Sequence, residues 1–312
     1  MKNEECFPFS LFIFHYKMSY MLKFARWKIF LLLSIVIVLL LGFGFALRVF
    51  FNRAPVLIVM DISFSQLYGP ERLERQIRRI STSFFRQVIQ VLVDESAGPE
   101  LVAIAVKEAS EGPWTVIFPN RYLEGARRYR EAMPETQILV IGGSPRSAVE
   151  NFTIVTTDTS TDLYRAGMAA ALFTGEKRPL FFSDGTLSSE LQEVFQQGLA
   201  DNGSQSEPVF VNATSNYSSW AEIGCVVIAG PAARFAELNM DIPIILFSWI
   251  DPSLTPGTVK LVFDDSYLTL AVEALRAMPA AEILLPSSPS IFRDRIGEKG
   301  IYAELEDIIR KK

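Results

Sequence analysis

One histidine, His15, is all the sequence contains, and it lies in the N-terminal tail. A histidine-dependent catalytic triad or a histidine metal site in the main body of the chain is thereby excluded. Neither a Gly-x-x-x-x-Gly-Lys phosphate loop nor a Gly-x-Gly-x-x-Gly turn occurs. Cysteine is equally scarce. Cys6 and Cys225 flank a long apolar block and are expected on opposite sides of a membrane, where they cannot pair. Cys225, in the apolar run GCVVIAG, reads as a buried small hydrophobe, so the fold is expected to stand without disulfides. Basic charge is also short beyond the tail. Residues 1–53 hold seven of the 30 Lys and Arg and two of the 35 Asp and Glu, which leaves the remainder with 23 basic against 33 acidic groups. An acidic body is a poor partner for nucleic acid, whose phosphates need a basic face. No catalytic group, metal or cofactor is expected; Asp264 and Asp265 are adjacent in a strand pattern and would point to opposite faces.

What the sequence does have is an apolar block, IFLLLSIVIVLLLGFGFAL, from Ile29 to Leu47, with no charge and one hydroxyl at Ser34. At about 1.5 Å per residue its nineteen residues make a helix of roughly 28 Å, close to the thickness of a bilayer core. Lys17, Lys23, Arg26 and Lys28 precede it, against Arg48 and Arg53 after it. The excess on the N-terminal side predicts an N-terminus inside and an exported C-terminal domain. Bulky and charged residues follow where a signal-peptide cleavage site would want small ones, so an uncleaved anchor over residues 29–50 is favoured over a cleaved leader. Residues 1–28 form the cytoplasmic tail, with the true start expected at Met18 or Met21, since MLKFARWK runs directly into the block. The expected location is the cytoplasmic membrane, single-pass.

From residue 54 short apolar runs alternate with amphipathic stretches. Runs at 55–61, 88–94, 114–120, 137–143, 152–158, 178–185, 208–214, 225–230, 242–249 and 259–265 read as buried strands. Helices are expected over Leu73–Phe84, Glu100–Ala109, Leu123–Ala132, Thr161–Thr174, Leu191–Leu199, Leu268–Ala277 and Ile301–Ile309. Arg72, Arg75, Arg78, Arg79 and Arg86 lie off the apolar stripe of the first helix, with Glu71 and Glu74 among them, and read as a solvated face. Such alternation specifies parallel sheets covered by helices. Ten strands over about 260 residues exceed one compact sheet, so the fold class is α/β with two lobes. The first lobe is expected over approximately 54–145 and 250–280, the second over approximately 150–248 plus the C-terminal segment.

In open α/β sheets ligands bind beyond the carboxyl ends of the strands. The residues there are polar with two aromatics: Asp61, Ser63, Phe64, Asn120, Gly143, Ser183, Asp184, Gly230, Trp249 and Asp264. Together they form the candidate site for a small polar ring compound.

Three segments carry a resemblance. VLIVMDISFSQ (Val56–Gln66) is similar to the opening strand and turn of the basic membrane protein family of substrate-binding proteins, with Asp61, Ser63, Phe64 and Gln66 matching and Ser65 in place of an asparagine. Residues 116–143 and 162–185, including Gly167 and its small-residue run, resemble two later units of the same family in the same order. The resemblance implies a type 1 periplasmic-binding-protein fold and a purine-nucleoside receptor, with Phe64 stacking on the base and Asp61 as the first-strand acid. Two positions depart from it. Leu246-Phe247-Ser248-Trp249 replaces a glycine-valine-aspartate stretch, and Asp264-Asp265 stands where the family has a lysine. Either the ligand differs, a cationic or hydroxyl-rich one met by the Asp pair, or the fold persists without a ligand as an envelope interaction protein. The expected partners are a small-molecule ligand and an ABC-type transporter or another membrane protein.

Overall fold

The computed structural model describes residues 9–142, 152–183, 187–212, 217–229, 241–251, 254–264, 266–278, 280–297 and 299–310, with side chains from residue 31 onward. The chain divides into two units, residues 1–53 and 54–312.

The first unit is one helix, α1 (Phe9–Asn52), 44 residues long. Within it Leu31–Asn52 has a mean hydropathy of 2.5 and is long and apolar enough to cross a bilayer. Helical structure therefore extends well upstream of the apolar block, through most of the segment read as a tail.

The second unit alternates strands and helices through β1 (Val56–Asp61), α2 (Ile62–Tyr68), α3 (Pro70–Phe84), β2 (Val88–Val93), α4 (Pro99–Ala109), β3 (Thr115–Pro119), α5 (Leu123–Ala132), β4 (Gln137–Ile141) and β5 (Phe152–Thr157). It continues with α6 (Thr159–Thr174), β6 (Arg178–Ser183), α7 (Ser189–Asp201), β7 (Val209–Asn212), β8 (Ile223–Ala229), β9 (Ile244–Phe247), β10 (Val259–Asp264), α8 (Tyr267–Ala277), β11 (Glu282–Leu285), β12 (Ser288–Ile291) and α9 (Lys299–Arg310). The strands form two six-stranded sheets, ordered β11-β5-β4-β3-β1-β2 and β12-β10-β9-β8-β6-β7. All pairs are parallel except β10 with β12.

Strand alternation builds the core of the first lobe. Val56, Ile58 and Met60 face one layer with Leu73 and Ile80 of α3 and Leu268, Ala271 and Leu275 of α8. Leu57 and Val59 face the other, with Val102 and Val106 of α4 and Ala126 and Tyr129 of α5. Both faces are covered, which is why β1 is apolar at nearly every position. In the second lobe Leu163, Ala166 and Ala170 of α6, Phe195 and Leu199 of α7 and Leu305 of α9 cover one face. Gly167 and Gly198 let α6 and α7 touch backbone to backbone: a Cβ on Gly167 would lie 2.2 Å from the Phe195 carbonyl oxygen.

All ten expected strands are present. Two of them lie in the other lobe from the one expected: Phe152–Thr157 lies inside the first sheet, between β4 and β11, and Val259–Asp264 belongs to the second. Alternation records that strands and helices succeed one another but not which strands pair, and a crossover loop is as short as any other. The chain crosses between lobes three times, after Thr157, after Asp264 and after Leu285.

Candidate functional site

Four of the residues singled out by sequence meet where the lobes join. Asp61 ends β1 and caps α2: its Oδ1 accepts the Phe64 backbone N–H at 2.6 Å. Its Oδ2 pairs with Arg121, from the turn after β3, so both carboxylate oxygens are engaged by the chain itself. The cap also fixes Phe64 on the inward face of α2. There its ring stacks on Tyr68 at 5.2 Å and meets Trp249 at 5.0 Å and Tyr267 at 4.9 Å. Phe64 is only 8 % exposed, so most of its ring surface is covered by the protein's own aromatics. The expectation that Phe64 offers a free face to a base is not met in this arrangement: short aromatic spacing looks the same in sequence whether the ring faces a ligand or a core.

Asp264 ends β10 at the second crossover. It is buried, and its Oδ1 accepts the Ser266 N–H at 2.9 Å while Oδ2 accepts the Thr269 hydroxyl at 2.7 Å. Burial raises its carboxyl above the ordinary range; Arg72, Thr269 and Ser266 pull it back down. Arg72 of α3 pairs with Oδ2 and donates from Nη1 to the carbonyls of Trp249 and Ile250 at 3.2 and 3.0 Å. A further backbone bond runs from Asp251 N–H to the Leu67 carbonyl at 2.8 Å. The turn at Gly69, with φ of +90°, leaves room for Asp251: a Cβ there would lie 2.0 Å from Asp251 Oδ2. These contacts stitch α2 and α3 of the first lobe to the loop after β9 of the second.

Ser63 is half-buried on α2, Asn120 is exposed at the end of β3, and Ser183 is half-buried at the end of β6. Gly143, Asp184 and Gly230, and with them Asp265, lie outside the described residues. Arg121 sits among the first group, its side chain 45 % exposed, donating to the Tyr122 hydroxyl at 2.7 Å beside a cavity of about 350 Å³ that Glu95 and Glu124 also line.

Sequence reasoning missed Arg72, Arg121, Tyr68 and Tyr267. For Arg72 a signal was present. It stands in the first turn of α3, next to Pro70 and Glu71, where the helix dipole disfavours a cation. An arginine in that place calls for a compensating acid, whereas Arg78 and Arg79, later in the helix, are exposed as expected.

Two lobes, each a helix-covered six-stranded sheet, joined by three crossovers, define a type 1 periplasmic-binding-protein-like fold. Solved structures agree on this. The chain is similar to a transcriptional activator of the comK gene from Bacillus halodurans, at 14 % identity and a TM-score of 0.59, over 82 % of this chain and 95 % of that one. It is also similar to an ABC transporter solute-binding protein from Conexibacter woesei, at 11 % identity and 0.58, again over 82 % and 95 %. A LacI transcriptional regulator from a Rhodococcus species matches at 13 % and 0.52, over 77 % and 97 %. At these identities the likeness concerns the fold. No family model and no curated protein matches the sequence.

Proposed function

We propose that the chain is a membrane-anchored, extracytoplasmic solute-binding protein, a binding module without enzymatic activity, that takes a small polar ligand for transport or sensing. The apolar Leu31–Asn52 helix and the basic excess before it support an anchor with its N-terminus in the cytoplasm. The observation that carries the reading is convergence: Asp61 and Phe64 of one lobe meet Trp249 of the other and Asp264 of a crossover at the carboxyl ends of parallel strands. The neighbour from Conexibacter woesei, a solute-binding protein by its description, supports the same reading. A nucleoside-like solute would rest on the aromatic floor through its edge and take its polar contacts from the rim, at Asn120, Arg121 and Ser183. An ABC-type transporter or another membrane protein is the proposed partner.

A second reading, an envelope interaction protein that keeps the fold without a solute, is favoured by one observation. The carboxylates of Asp61 and Asp264 are already satisfied internally, at 2 % and 3 % exposure.

A thermal-shift screen separates the two. The apolar cores of both lobes lie within residues 54–312, so a fragment beginning at Ala54 suits the measurement. Against nucleosides, sugars and amino acids, a saturating ligand is expected to raise the melting temperature by about 5 °C or more. A flat response across the panel favours the ligand-free reading.

A further inference from the structure

The surroundings of Arg72 have the form of a receptor site. A guanidinium group is planar, carries five N–H donors and a delocalised charge, and is best held by a carboxylate, further oxygen acceptors near its plane and an aromatic face against it. All three are present. Asp264 supplies the carboxylate, held in place by Ser266 N–H at 2.9 Å and the Thr269 hydroxyl at 2.7 Å. Trp249 and Ile250 supply two carbonyls, at 3.2 and 3.0 Å from Nη1. Tyr68 supplies the face, its ring centroid 4.4 Å from the Arg72 Cζ. The Tyr68 ring is itself oriented, by its hydroxyl against Thr269 Oγ1 at 3.0 Å and by stacking on Phe64. None of these groups belongs to α3, which carries Arg72. They come from α2, from the loop after β9 and from the second crossover, so the cage is assembled by both lobes and the guanidinium is inserted into it.

We propose that the interlobe junction is a guanidinium-binding site whose resident occupant is the chain's own Arg72, so that the lobes are joined with no external solute. A cleft that would otherwise need a ligand to hold its halves together carries that ligand covalently attached. The site stands on this geometry alone and holds whether or not a solute binds at the rim. An exogenous guanidinium compound is excluded while Arg72 is in place and is admitted when the side chain is removed.

The test uses the full chain in detergent micelles with Arg72→Ala, titrated with methylguanidinium at low millimolar concentration and read by thermal melting. The variant is expected to melt several degrees below the parent, and methylguanidinium to restore at least half of that loss. Methylammonium, which has the charge without the planar fork, should restore much less, and the parent should respond to neither. In the double variant Arg72→Ala/Asp264→Asn the rescue should disappear. If Arg72→Ala is unfolded, the same titration is followed as regain of the near-ultraviolet circular dichroism, since binding to the folded state alone draws the chain towards it. Equal effects of methylguanidinium and methylammonium, or equal rescue of the double variant, would overturn the proposal. So would an Arg72→Ala variant as stable as the parent.

Discussion

Two arginine–aspartate pairs flank the junction, and they differ in almost everything but chemistry. Arg72 and Asp264 have side chains 15 % and 5 % exposed and connect α3 of the first lobe to the crossover at the end of β10. Arg121 and Asp61 lie within the first lobe, and the arginine is 45 % exposed beside an open cavity. A buried pair contributes little net stability over an apolar substitute, yet losing one partner strands the other charge away from water. In the second pair the carboxylate is equally buried but its arginine is half-exposed, so water can enter where the guanidinium is removed and the loss is smaller. The first pair therefore links the two lobes, while the second braces the end of β1 against the turn after β3 within one lobe.

Three variants sharpen that contrast. The largest effect is expected from Arg72→Ala, about 3 kcal/mol at neutral pH from an uncompensated buried carboxylate. The pH dependence identifies the cause. Asp264 already has its carboxyl raised by burial, with Arg72 the first influence lowering it and Tyr68 the nearby phenol that feels its charge. A carboxyl raised in the folded state binds its proton more tightly than in the unfolded chain. It therefore lowers stability above its folded pKa and ceases to do so once protonated. Without Arg72 the value rises further, so the loss should be greatest near pH 8 and shrink towards about pH 5 in urea titrations of parent and variant side by side. A loss independent of pH would place its origin in packing instead.

Next comes Gly69→Ala, which forces a side chain into φ of +90° and onto Asp251. It should lower stability by about 2 kcal/mol. Asp251→Ala added to it should recover only part, because it relieves the contact and not the backbone strain; full recovery would show that the glycine conformation matters less than the close approach. The smallest effect belongs to Arg121→Ala, about 1 kcal/mol, because the arginine side of the pair is open to water that can take its place beside the buried Asp61, which keeps the Phe64 N–H. If it instead matches Arg72→Ala in the same melts, the distinction between the two pairs fails.

Much of this architecture was legible in the sequence. Apolar runs such as VLIVMD and VVIA had to be strands, because β-branched residues without a helical stripe are buried on both faces. The elements missed were short ones. β11 and β12 are four residues each at sheet edges, and SPSI has neither apolar character nor alternation. α2 is seven residues and follows β1 directly, so its signal merged with the strand's turn. Four of the candidate residues were legible as neighbours, but not what they touch. Asp61, Phe64, Trp249 and Asp264 do converge, yet what satisfies them comes from Arg121, Tyr68, Tyr267 and Arg72, at separations in sequence that no local pattern records. The acid pair had been expected to meet a cationic ligand. At Asp264 it meets a cation of the same chain.

The three crossovers also set how the lobes can move. Asp158 N–H bonds the Leu285 carbonyl at 2.8 Å, and Ser287 N–H bonds both Asp162 oxygens at 3.1 and 3.0 Å, lacing the first crossover to the third. Asp264 opposes Ser288 in the β10–β12 ladder, which lays the second beside them. Three separate cords would allow the lobes to twist, slide and rock in any direction. Joined edge to edge they behave as a leaf hinge, stiff to shear and torsion and compliant in a single bending motion, so any swing of one lobe against the other is confined to one arc.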